Sequence, residues 1–107
     1  MARRRRFHTT EWVREAEELA EQYNTARFQF ITTEVDLGIT FCKIAAWSSD
    51  PEKIERNTLN AEQAAKAAKH FLDEGRLDRA MDEAARMKIE RLESHLRGLR
   101  KRSSALA

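Results

Sequence analysis

The chain has 107 residues, 41% hydrophobic and 36% charged, with one proline, three glycines and one cysteine. That size corresponds to a single domain. The apolar content argues against wholesale disorder, and no apolar run reaches the roughly 20 residues a bilayer-spanning helix needs. The basic opening has no apolar segment after it, so a signal peptide is not expected. Cys42 alone cannot form an intramolecular disulfide, and a cytoplasmic location is the expectation. The net charge of +2 conceals a pattern. Arg3, Arg4, Arg5 and Arg6 supply four positive charges at one end, and Arg97, Arg100, Lys101 and Arg102 supply four at the other. Residues 7–96 therefore carry −6.

Residues 1–8 read as a disordered basic arm. Thr9 or Thr10 is placed to cap a first helix from about residue 10, with Glu11, Glu15, Glu17 and Glu18 suited to the positive end of its dipole. Trp12, Ala16, Leu19, Ala20, Tyr23, Ala26 and Phe30 recur at three- and four-residue steps and make one apolar face. Beyond Phe30 two readings stand. Thr33 with Asp36 resembles a capping box that would start a new helix near 34. Ile31, Val35, Gly38, Cys42 and Ala45 instead continue a helical period, which favours a continuous or merely kinked helix from 10 to 47 over a true break at 32–33.

Ser49 or Asp50 followed by Pro51 and Glu52 marks the next helix start. That helix runs to Leu72, with Ile54, Leu59, Ala61, Ala64, Ala65, Ala68 and Phe71 on its apolar side, and Gly75 closes it. The last helix spans about 78–100, with Leu77, Ala80, Met81, Ala84, Ala85, Ile89, Leu92, Leu96 and Leu99 on its buried stripe. Residues 103–107 are expected to fray. No strand pattern occurs. The fold class is all-α: an antiparallel bundle of three to four helices over 9–102.

Ala67, Ala68, Phe71, Gly75, Leu77, Ala80, Ala84 and Met87 together resemble a tetratricopeptide repeat, a helix–turn–helix of about 34 residues. Leu37, Gly38, Phe41 and Ala45, with Ile54 and Ala61, form a poorer echo upstream, and the resemblance covers some 60 residues. The place of the usual tryptophan holds Ala64 in one copy and Glu34 in the other, and Leu92 stands where a proline closes the repeat. No turn fits between the copies at 60–64, so the chain is also similar to three-helix bundles of the microtubule-interacting-and-trafficking type. The resemblance implies binding of a peptide or partner helix in a groove. It also implies that Phe71 and Ala80 touch across the Gly75 turn.

Little in the sequence points to catalysis. None of His8, His70 and His95 has a glutamate three residues before it, and no His-x-x-x-His or Cys-x-x-Cys occurs. Ser94 and His95, being adjacent on a helix, point about 100° apart. Glu34 and Asp36 lie within an apolar run but suit capping or ion pairing. Cys42 suits a small core filler. No enzyme, cofactor or metal site is expected.

Two functions from different classes remain. One is a small helical interaction domain, of scaffold or adaptor type, that binds a protein partner or itself as a homodimer. Its candidate contacts are Trp12, Tyr23, Phe28, Phe30 and Trp47. Phe28 and Phe30 lie about 200° apart on a straight helix, so one of them should be left uncovered. The other, less favoured, is a nucleic-acid or acidic-surface binder using both basic ends.

Overall fold

A computed structural model of the chain describes the backbone of residues 2–75 and 77–106, and side chains over 10–75 and 77–105. It shows three helices, α1 (Ala2–Trp47), α2 (Pro51–Glu74) and α3 (Arg79–Leu106), and no strand among the described residues. The bundle is all-α, as its composition leads one to expect. Its long dimension is 76 Å against 20 and 16 Å.

α1 is unbroken through residues 32–33. The capping box does not form: the Thr33 hydroxyl donates to the Gln29 carbonyl of its own helix at 2.9 Å, so nothing there ends the hydrogen-bond ladder. α1 also passes through Thr9 and Thr10 and starts at Ala2, where a disordered arm and a cap are expected from sequence. The side chains of Arg3, Arg4, Arg5 and Arg6 lie outside the described residues. At the far end α3 continues to Leu106 instead of fraying after 102.

The start of α2 has the expected chemistry, and α3 has a cap of the same kind. The Asp50 carboxylate accepts from the Glu52 amide at 3.1 Å, with Pro51 in the first turn. The Asp78 carboxylate accepts from the Met81 amide at 2.8 Å. Each satisfies an amide that the helix cannot pair internally.

α2 is alanine-rich where it meets its neighbours. Ala61, Ala64, Ala65 and Ala68 are buried, and these short side chains let the backbones approach closely. Leu92 of α3 is fully buried at the centre. A Cβ on Gly38 would lie 2.7 Å from Leu92 Cδ2 and 3.2 Å from Ala64 Cβ. The three helices therefore meet around one leucine seated over a glycine and an alanine. Ile31, Val35 and Cys42 of α1 and Ile89 and Leu96 of α3 extend this core along the bundle.

The α2–α3 turn differs from the expectation. Gly75 closes α2 in extended backbone, φ −98° and ψ 158°, which any residue can adopt. What the glycine supplies is space, because a Cβ there would collide with the Arg27 side chain. Arg27 Nη1 donates to the Phe71 carbonyl at 3.1 Å, one of the last-turn carbonyls that lack a helical partner. The guanidinium also lies 5.8 Å from the centre of the Phe71 ring. Phe71 packs on Phe30, with ring centres 4.1 Å apart, while Ala80 is exposed. The neighbour of Phe71 thus comes from α1 rather than from α3. Ala80→Leu is accordingly expected to change stability by less than about 0.5 kcal/mol, as at an ordinary surface site. A urea melt that loses more would restore Ala80 to the core.

Candidate interaction surface

Residues 31, 35, 38, 42 and 45 alternate steps of four and three, and all five are buried against α2 and α3. A second set does the same on the other side of α1. Trp12, Ala16, Leu19, Tyr23, Ala26, Phe30, Thr33, Leu37, Thr40, Ile44 and Trp47 also alternate four and three, without a break. In heptad geometry the two stripes lie about 150° apart around the helix. The first is the seam of the bundle. Every residue of the second is exposed.

The outward face of a bundle helix is normally polar. Here it carries Trp12 at 72% exposure, Phe30 at 38% and Trp47 at 91%, with Leu19, Tyr23, Leu37 and Ile44 also exposed. Of the large exposed apolar side chains of α1, Val13 alone lies off the stripe, and it flanks it. Four of the five candidate contacts, Trp12, Tyr23, Phe30 and Trp47, fall on this one line. Phe28 does not, since it packs against the core. Of the two phenylalanines, Phe30 is the more exposed, although it also touches Phe71.

From spacing alone the 12–30 series reads as the apolar face of the first helix and the 31–45 series as its continuation. They are two faces. The signal that separates them is the strict seven-residue recurrence of Tyr23, Phe30, Leu37 and Ile44, which runs alongside the inner series rather than into it.

The stripe has two halves with different surroundings. From Phe30 to Trp47, α1 is backed by α2 and α3. From Thr10 to Ala26 it projects beyond them, and apart from the half-buried Glu11 and Asn24 every side chain there is exposed. The polar atoms within the stripe are already satisfied. Thr33 and Thr40 hydroxyls donate to Gln29 and Asp36 carbonyls at 2.9 and 3.0 Å. Covering these threonines therefore leaves no orphaned hydroxyl. At the Trp47 end a shallow groove of about 450 Å³ is lined by Lys43, Ile44, Trp47, Ser48 and Lys53.

The basic residues do not converge. Arg102 Nη1 donates to the Ala46 carbonyl at 2.7 Å, so the end of α3 lies beside the end of α1. Arg3–Arg6 sit near the opposite tip, about 60 Å away at 1.5 Å per helical residue. Arg100 is held by Glu62 at 3.0 Å, and Arg97 and Lys101 are exposed.

Three side chains with nucleophilic or basic groups, Cys42, Ser94 and His95, border one shallow groove. Cys42 is buried, and desolvation pushes its thiol up to about 11, so at neutral pH it is the weakly nucleophilic neutral form. Ser94 and His95 are both exposed and line a shallow groove of about 480 Å³ with Cys42, Trp47, Arg91 and Arg102. Asp36 is exposed and Glu34 half-buried, and neither serves as a cap because α1 is continuous. Among the described residues no group of three or more His, Cys, Asp or Glu side chains could hold a metal ion. None of their helices is long and apolar enough to cross a membrane. Compared with family models, with curated proteins and with solved structures, the chain matches none.

Proposed function

We propose that this protein is a cytoplasmic helical interaction module rather than an enzyme, and that it binds a partner helix along the outer stripe of α1. The observation that carries this reading is the unbroken four–three series from Trp12 to Trp47, every member of which is exposed, although Phe30 also touches Phe71. A helix with apolar stripes on opposite sides has one more face than its own bundle uses. Such a surface is stabilised by a second helix that interdigitates with it. The partner-helix binding implied by the tetratricopeptide resemblance is of the same class, although the surface is on α1 and not in the Gly75 hairpin.

Binding of nucleic acid through the basic ends is the weaker reading. The two ends are far apart, Arg100 and Arg102 are engaged within the bundle, and the acidic body repels a polyanion at low salt. The test is a photo-crosslinking residue placed at Leu37, with Lys88 on α3 as the control position, in cells that make the protein natively. Adducts to one defined polypeptide from position 37, lost when Tyr23 and Ile44 are both changed to glutamate, are expected. Equal labelling from both positions, or none from 37, would refute the reading.

A further inference from the structure

Resting on that reading, we infer that the occupant of the stripe is a second copy of this chain, paired antiparallel so that the projecting half of each α1 covers the bundle-backed half of the other. The two halves are complementary in length, in side-chain size and in charge.

In length, 15 residues from Trp12 to Ala26 face 18 from Phe30 to Trp47. Each copy therefore contains both a free apolar helix and a face able to receive one. A two-fold pairing satisfies both at once and leaves no open end for further growth.

In size, an antiparallel alignment sets Ala16 against Trp47 of the second copy, Leu19 against Ile44, Tyr23 against Thr40, Ala26 against Leu37 and Phe30 against Thr33. Large side chains meet small ones in four of these five layers, which is the condition for close packing. Trp12 then reaches past the other α1 to the turn before its Pro51. A parallel, in-register pair would stack Trp12, Tyr23, Phe30 and Trp47 on their own counterparts, and would leave gaps at Ala16 and Ala26.

In charge, residues 10–26 carry five glutamates and one arginine. The antiparallel alignment brings them to the end of the bundle where Lys43, Lys53 and Arg91 are exposed, together with Asp50 and Glu52. Parallel pairing would instead run the glutamates of one copy beside those of the other.

The area suffices. At about 200 Å² per aromatic side chain, the exposed parts of Trp12, Tyr23, Phe30 and Trp47 amount to roughly 500 Å² per copy. Doubled, and with Leu19, Leu37 and Ile44 added, this approaches the roughly 1,600 Å² of a standard specific interface.

The test uses the full chain. Sedimentation velocity is expected to show a dimer at micromolar concentration. Leu37→Glu with Ile44→Glu should raise its dissociation constant by roughly a hundredfold, as loss of interface anchors does. Both residues are exposed on the bundle, so helicity by circular dichroism should be unchanged. A spin label at Glu17→Cys in a Cys42→Ala background reports orientation. With 1.5 Å per residue, antiparallel pairing puts the two labels about 45 Å apart and parallel pairing about 20 Å. A monomer, a dimer indifferent to the double substitution, or a short label distance would each overturn the inference. A monomer that still crosslinks to another polypeptide from position 37 would defeat self-pairing while leaving the interaction reading intact. No adduct from that position would defeat both.

Discussion

Replacing Leu92 with alanine is expected to lower the unfolding free energy by about 2–5 kcal/mol, the range for deleting a fully buried leucine side chain. The cost comprises the lost burial of the deleted carbons and the cavity they leave. This site has little means of closing that cavity. The residues around it include Gly38, which has no side chain, and Ala64, whose methyl group has no rotamer to swing inward. The larger members of the same core, Ile31, Val35, Ile89 and Leu96, are themselves buried and committed. The upper half of the range is therefore expected. With about 5–15 kcal/mol available to a typical domain, this is a large share of the total. A urea melt should show a lower midpoint with an unchanged slope. A loss below about 1 kcal/mol would mean that Leu92 is not the centre of the three-helix contact.

The converse substitution, Gly38→Leu, is expected to cost about 3 kcal/mol, at the upper end of the overpacking range. The first added carbon already falls within contact distance of Leu92 and Ala64, and three more must follow. Glycine to leucine also improves helix propensity by nearly 1 kcal/mol, so the net loss understates the steric cost. The two substitutions should couple. In the double variant Gly38→Leu with Leu92→Ala, a leucine projects from α1 into the space vacated on α3. The loss should then be smaller than the sum of the single losses by at least about 1 kcal/mol, because the residues touch. Additive losses in urea melts would rule out direct packing of Leu92 on Gly38.

Elements set by local chemistry were legible in advance. The 3.6-residue period of apolar positions, the scarcity of glycine and proline, and the Asp50–Pro51 start defined an all-helical chain and the bounds of α2 closely, while α1 begins eight residues before the expected start and α3 ends six residues past the expected end. Continuity through 31–33 was less certain from sequence. A cap and an i−4 back-bond use the same threonine hydroxyl, and only the surrounding helix decides between them. The candidate contacts were legible as residue types, though not as a surface. Trp12, Tyr23, Phe30 and Trp47 stood out as surplus aromatics, yet Phe28 was grouped with them until packing sent it inward.

The sequence by itself determined that this chain is helical, where its second and third helices begin, and that its apolar content exceeds what a small bundle needs. Those properties follow from propensity, capping and periodicity, each confined to a few neighbouring residues. Only the tertiary structure decided which of two apolar stripes on α1 faces inward. Both stripes have helical spacing, and the inner one is selected by the glycine, alanine and cysteine at 38, 45 and 42, whose small side chains admit α2 and α3. It likewise decided that Phe71 rests on Phe30 and Arg27 and not on Ala80, because α1 extends far enough to reach the end of α2. That same length carries the basic N-terminal residues away from the basic end of α3, and leaves most side chains of the projecting half of α1 exposed.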